Sequence, residues 1–225
     1  MANLPRKKDF RQRAHANPFS DKHFDYPKSP CEINWSEFYI DGIAPKIVDI
    51  GCGYGNFLIL LSKIFPTENV VGLEIRKKVV DYIKNKVSVM IERKELKRNL
   101  HAIYTNAMLF LPNYFGKEQV SKIFILFPDP HFKKKKRKAR IICTQMLDQY
   151  AYILENKGRL YLSTDVSELF ESMVQCVQNH TLFRRLENEE FENDNLRTLI
   201  IKETDESKRA AVKTGKAFAA IFEKK

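Results

Sequence analysis

No stretch of this chain is both long and apolar. Its longest uninterrupted apolar runs are of the order of Ile123-Phe124-Ile125-Leu126-Phe127, far short of the roughly 18 residues that a membrane-spanning helix requires. Nothing apolar follows the first charges of Met1-Ala2-Asn3-Leu4-Pro5-Arg6-Lys7-Lys8, so no secretory signal is expected. Cysteine is sparse: Cys31, Cys52, Cys143 and Cys176 stand far apart without a C-x-x-C pair. That argues against a structural zinc site or a disulfide framework and for reduced thiols in an intracellular compartment. His15, His101 and His180 show neither triad nor metal-ligand spacing, and no metal is expected. Internal repeats are absent too.

What is present is 225 residues, enough for one substantial domain and short for two. Hydrophobic residues at 44% and aromatics at 12% allow a core and exclude wholesale disorder. Lys and Arg number 39 against 28 Asp and Glu, a net charge of +11. Such a surplus makes a polyanionic partner plausible and says nothing about fold.

Residues 1–45 differ from the rest. Arg6, Lys7, Lys8, Arg11 and Arg13 cluster, and Pro18, Pro27 and Pro30 punctuate a stretch without sustained periodicity. This reads as a basic N-terminal arm with short turns, either a loose tail or a segment ordered against the domain or a ligand. From 46 to 225 the text is that of one α/β domain. Strands are expected at 46–50, 70–74, 100–104, 122–127, 158–163 and 216–222, and helices over 58–65, 77–98, 139–155 and 166–179. The acidic, Asn-rich 187–195 is expected to be an exposed loop. Strands alternating with helices imply right-handed crossovers and a mostly parallel sheet with helices on both faces.

Asp49-Ile50-Gly51-Cys52-Gly53-Tyr54-Gly55 stands where the first strand hands over to the first helix. Ligands of open parallel sheets bind beyond the carboxyl ends of the strands, and glycine lets the backbone approach them without a Cβ in the way. The spacing is G-x-G-x-G rather than the G-x-G-x-x-G of dinucleotide folds, and no G-x-x-x-x-G-K-[ST] loop exists. The second strand ends in Glu74, a carboxylate suited to two ribose hydroxyls. A nucleoside without phosphates fits this pattern, and S-adenosylmethionine is one. Asn106-Ala107 follows the third strand, where an adenine edge would be read; a turn or an N-cap is the alternative for Asn106.

Phe127-Pro128-Asp129-Pro130-His131 follows the fourth strand directly. Two prolines stiffen it, so Asp129 is expected to project from the strand end and to accept hydrogen bonds from a nucleobase; a rigid turn with a capping Asp is the alternative. Lys133, Lys134, Lys135, Lys136, Arg137, Lys138 and Arg140 then place seven cations within eight residues. Beside a reactive centre such a run suits a phosphate backbone, and it also suits a nuclear-import signal. The expected compartment is the nucleus, with the cytoplasm as the alternative.

Taken together, the glycine loop, Gly72-Leu73-Glu74-Ile75-Arg76, Asn106-Ala107 and Phe127-Pro128-Asp129-Pro130-His131 resemble the tRNA (guanine-N7)-methyltransferases. Arg11-Gln12-Arg13-Ala14-His15-Ala16-Asn17-Pro18, Tyr26-Pro27 and Asp129-Pro130-His131-Phe132-Lys133 resemble the eukaryotic branch. The similarity covers nearly the whole chain. It implies a class I S-adenosylmethionine-dependent methyltransferase fold, Rossmann-like, of seven strands with the last antiparallel. It also implies methyl transfer to N7 of a variable-loop guanosine in tRNA, forming 7-methylguanosine, and a non-catalytic WD-repeat β-propeller subunit. By the same resemblance Gly51, Gly53, Glu74, Arg76, Asn106, Ala107, Leu126, Thr204 and Glu206 are expected at the cofactor. Asp129 is expected to be catalytic. His131, Lys133, Lys134, Lys135, Lys136, Arg137 and Asp165 are expected on the RNA side. Thr204-Asp205-Glu206 departs from the aromatic-containing bacterial form. Two rivals remain at this stage: a methyltransferase acting on an exocyclic amine, and an RNA-binding scaffold with a vestigial pocket.

Overall fold

The computed structural model describes residues 3–13, 17–20, 23–213 and 216–225. Two compact units divide the chain, Met1–Phe115 and Gly116–Lys225. Seven strands follow the order β3-β2-β1-β4-β5-β7-β6, a mostly parallel sheet.

In the first unit β1 (Ile47–Ile50) and β2 (Val70–Glu74) are buried at every residue, as strands covered on both faces must be. β1 pairs parallel with β2, and β2 with β3 (Leu100–Tyr104). Between them run α1 (Asn56–Ile64) and α2 (Lys77–Glu92). Val79, Ile83, Val87 and Met90 of α2 are buried at helical spacing, so one stripe faces the sheet. The expected helix through Arg98 stops six residues early. The Glu95 amide donates to the Met90 carbonyl and the Lys94 amide to Ile91, with Lys94 at φ 59°. That is a Schellman cap with lysine in the position glycine usually takes, so no glycine or proline marks it in the sequence. α3 (Ala107–Tyr114) follows β3 directly.

The arm folds onto this unit through three single 3-10 turns, Lys7–Phe10, Pro30–Glu32 and Trp35–Glu37. Phe24, Trp35 and Tyr39 are buried, and the Tyr39 hydroxyl donates to the Val70 carbonyl at 3.1 Å. Phe24 packs on Tyr104 and Tyr26 stacks on Phe110, with centroids 4.8 and 4.0 Å apart.

The second unit holds β4 (Val120–Leu126), α4 (Thr144–Ile153), β5 (Leu154–Thr164), α5 (Ser167–Gln178), β6 (Phe183–Arg185) and β7 (Phe218–Lys224). β4 and β5 are parallel, whereas β7 runs antiparallel to both β5 and β6. The helix expected from Ala139 begins at Thr144. Lys134–Ala139 forms a 3-10 helix instead and Arg140 is extended. The stretch 187–195, expected to be an exposed loop, is largely exposed but is not all loop. It carries α6 (Asn188–Glu192) and a buried Asp194, which accepts from Arg159 Nη1 at 2.6 Å and from the Tyr161 hydroxyl at 3.2 Å. β5 supplies the partners that make burial of this carboxylate tolerable. α7 (Arg197–Lys202) and α8 (Asp205–Lys213) lead to β7.

Candidate active site

β1 ends into the glycine loop. Gly51, Gly53 and Gly55 have φ of 79°, 54° and 74°, the left-handed region in which glycine costs least. A Cβ on Gly51 would meet nothing within 4 Å, so the loop offers bare backbone there to a ligand. Its underside is closed by the buried Cys52, whose thiol is pushed up by burial and by the charges of Asp49 and Glu74.

Glu74, at the end of β2, is 4% exposed. Its Oε1 accepts from the Arg76 amide and Arg76 Nε at 3.0 and 2.9 Å; Oε2 accepts from Arg76 Nη2 and the Gly53 amide at 2.8 and 3.1 Å. Four donors occupy the four lone-pair directions of one carboxylate. Burial pushes the Arg76 guanidinium down, and its hydrogen bonds and ion pair with Glu74 outweigh this, so its pKa is raised. The expected ribose acceptor therefore holds Arg76 and the loop. A ribose would take the place of an arginine fork whose donors match its two hydroxyls.

Asn106 is the N-cap of α3. Its Oδ1 accepts from the Met108 amide at 3.1 Å and its Nδ2 donates to the Pro18 carbonyl at 2.6 Å. The N-cap alternative is thus realised, with the arm as second partner. Ala107 is the first residue of α3 and is buried. The arm also reaches the other lip of this half-site: Gln12 Oε1 accepts from the Lys78 amide at 3.0 Å, and Lys7 lies over the Tyr54 ring. Sequence reasoning missed Gln12 and Pro18 as partners of Lys78 and Asn106, because those partners lie more than sixty residues away along the chain.

In the second unit Leu126 closes β4 and is half-buried, as are Asp129 and His131 beyond it. Phe127 and His131 have φ of 50° and 46°. Non-glycine residues in that region store roughly 1–3 kcal/mol each and persist only where the surroundings impose them. The Phe127 amide donates to the Ser163 carbonyl at 2.7 Å. Asp165, just past β5, is exposed. Thr204 is buried and caps α8, its Oγ1 accepting from the Ser207 amide at 2.8 Å; Glu206 is exposed.

The basic run is not uniform. Lys133 is exposed, and the side chains of Lys134, Lys135 and Lys136 lie outside the described residues. Arg137 pairs with Glu168 of α5 at 3.2 Å. Arg140 turns inward, its Nε donating to the Pro130 carbonyl at 3.1 Å and its Nη1 to Ser172 Oγ at 2.9 Å. Arg140 thus serves the protein rather than a polyanion, and its sequence mark is the intervening Ala139. Among the described residues no group of three His, Cys, Asp or Glu is placed to hold a metal, and no helix is long and apolar enough to cross a membrane.

Parallel strands, a glycine loop after β1 and an acidic residue closing β2 define a class I methyltransferase fold. Solved structures agree. The 16S rRNA methyltransferase KamB superposes with a TM-score of 0.54 at 16% identity, covering 81% of this chain and 88% of that one. The aminoglycoside resistance methyltransferase NpmB1 does so with 0.53 at 14%, covering 80% and 86%. At those identities the likeness is one of fold.

Sequence relatives narrow it. Residues 43–220 match the family model described as "Putative methyltransferase". Proteins named tRNA (guanine-N(7)-)-methyltransferase are 44% identical in Anopheles gambiae, over 97% of this chain and 94% of that one, and 45% identical in Schizosaccharomyces pombe, over 98% and 85%. The protein of that name in Caenorhabditis elegans is 42% identical over 99% and 89%. The chain belongs to the tRNA (guanine-N7)-methyltransferase family.

Proposed function

We propose that this chain transfers a methyl group from S-adenosylmethionine to N7 of a variable-loop guanosine in tRNA, forming 7-methylguanosine. The observation that carries this reading is the identity of 42–45% to proteins so named, over nearly the full length of both chains.

S-adenosylmethionine, when bound, supplies an electrophilic methyl group on a sulfonium. Gly51 and Gly53 give it bare backbone, and Glu74 and Arg76 exchange their mutual fork for contacts to the ribose. Asn106 and Ala107 serve the adenine, and Leu126, Thr204 and Glu206 are assigned to the cofactor by the family resemblance. The open space above Gly51 and the donor-matched Glu74 fit a phosphate-free nucleoside.

Guanine N7 carries a lone pair and no proton, so no general base is required. The enzyme's work is to hold N7 in line with the methyl group. Asp129 orients the guanine through its N1–H and amino edge and stabilises the positive charge that develops on the purine. Drawing the nucleoside out of the folded RNA costs a few kcal/mol. His131, Lys133, Lys134, Lys135, Lys136, Arg137 and Asp165 line the RNA side, where the cations offset this cost by neutralising phosphates. A WD-repeat β-propeller subunit is the expected companion, supported by the resemblance to the eukaryotic branch. The nucleus is the expected compartment, supported by the basic run.

The test is incubation of the purified chain with methyl-labelled S-adenosylmethionine and tRNA, with and without a propeller subunit. Nuclease digestion and mass spectrometry then locate the label. 7-Methylguanosine is expected, and Asp129→Asn is expected to slow its formation at saturating tRNA by about 100-fold. Label on an exocyclic amine, or none under either condition, refutes the reading. A near-wild-type rate for Asp129→Asn removes that residue from the mechanism.

A further inference from the structure

The segment carrying Asp129 is bracketed by two residues in left-handed backbone, Phe127 and His131. Such a conformation relaxes unless it is held at both ends. The front end is held by the Phe127 amide on the Ser163 carbonyl of β5. At the back, Arg140 Nε donates to the Pro130 carbonyl, one residue beyond Asp129, while Arg140 Nη1 donates to Ser172 Oγ on α5. Pro128, Asp129, Arg140 and Ser172 line one small cavity, walled on its apolar side by Leu169 and Met173. Two of the three guanidinium nitrogens are thereby committed inside the protein.

From this geometry we infer that Arg140 is a positioning residue for methyl transfer: braced by Ser172, it holds the Pro130 carbonyl and so sets where the Asp129 carboxylate stands. The inference rests on the proposed function and deepens it. A guanidinium suits the task because its planar fork joins two acceptors at a fixed angle, which a lysine ammonium on a flexible stem does not. Burial lowers the Arg140 pKa and the neighbouring Arg137 adds to the effect, while Glu168 opposes it. The guanidinium is therefore partly desolvated, unlike one that waits in water for a phosphate. Misplacement of a reacting group by about 1 Å costs on the order of 100-fold in rate.

The experiment compares the full chain with Arg140→Lys, Arg140→Ala and Ser172→Ala. Single-turnover methylation of tRNA is expected to fall about 10- to 100-fold in both Arg140 variants and less in Ser172→Ala. Ser172→Ala is expected to add nothing to Arg140→Ala. Affinity for S-adenosylhomocysteine and the salt dependence of tRNA binding are expected to stay as in the wild type. Guanidinium ion in the buffer is expected to restore part of the rate of Arg140→Ala and none of that of Asp129→Asn.

Amide hydrogen exchange over residues 127–133 gives a readout that needs no activity and is expected to rise at least about tenfold in both Arg140 variants. Unchanged exchange overturns the inference, whatever the rates. So does a loss confined to tRNA affinity with a shallower salt slope, which would make Arg140 a phosphate ligand. A wild-type chain inactive on every tRNA, with exchange still raised in the variants, refutes the proposed function and leaves the clamp standing.

Discussion

Arg76 and Glu74 lie two residues apart, the arginine half-buried over the buried carboxylate, with side-chain exposures of 15% and 4%. A carboxylate so placed survives because the arginine fork and two backbone amides satisfy it; taking one partner away leaves a buried charge uncompensated. Arg76→Met is therefore expected to lower unfolding stability by about 3 kcal/mol, read from the shift of the urea midpoint. A loss below about 1 kcal/mol would mean that the Gly53 amide and water suffice. The sequence named both residues as cofactor ligands. Their pairing with each other was not legible, because adjacency along a chain does not reveal which side chains share a face after a strand ends. Asn106 teaches the same lesson: its N-cap bond is local and readable, whereas its bond to the Pro18 carbonyl spans 88 residues.

Strands buried on both faces were the easiest elements to read: the stretches expected at 46–50 and 70–74 are short, mostly apolar and bounded by turn residues, and they form β1 and β2, buried at every residue. β2 shows how tightly such a strand is fitted. A Cβ on Gly72 would lie 2.6 Å from Cys52 Sγ and 2.6 Å from Leu58 Cδ2, closer than real side chains approach. Gly72→Ala is expected to destabilise the protein by about 1–3 kcal/mol and to weaken S-adenosylmethionine binding by displacing the glycine loop. Adding Cys52→Ala removes one of the two clashes, so the double variant is expected to recover part of the thermal stability that Gly72→Ala forfeits. No recovery would show that Leu58 and the Cβ of residue 52, which alanine keeps 3.0 Å away, set the fit. Elements closed by unusual caps were harder to read. Lys94 in left-handed backbone ends α2 where propensity would have carried it on. β6, at three residues, is too short for any periodicity to show.

At the scale of the whole molecule, a net charge of +11 is an attraction without an address. The fold distributes it: Arg76, Arg140 and Arg159 make bonds inside the protein, while Lys133, shortly after Asp129 in the chain, stays exposed. Replacing Lys133, Lys134, Lys135 and Lys136 by Gln is expected to weaken tRNA binding and to reduce its log–log salt slope by roughly one for each phosphate that the variant no longer neutralises. S-adenosylmethionine affinity is expected to be unchanged. An unaltered slope would assign the run to import or to plain solubility.

Residue order alone determined the strand–helix alternation, the glycine loop and the aspartate between two prolines, because each depends on local periodicity or on the backbone limits of glycine and proline. Only the tertiary structure decided what the polar side chains hold. It sent Arg140 inward to Pro130 and Ser172, gave Asn106 the arm as a partner, and buried Asp194 against Arg159. Hydrogen bonds of that kind join residues that only folding brings together, and short-range pattern carries no record of them.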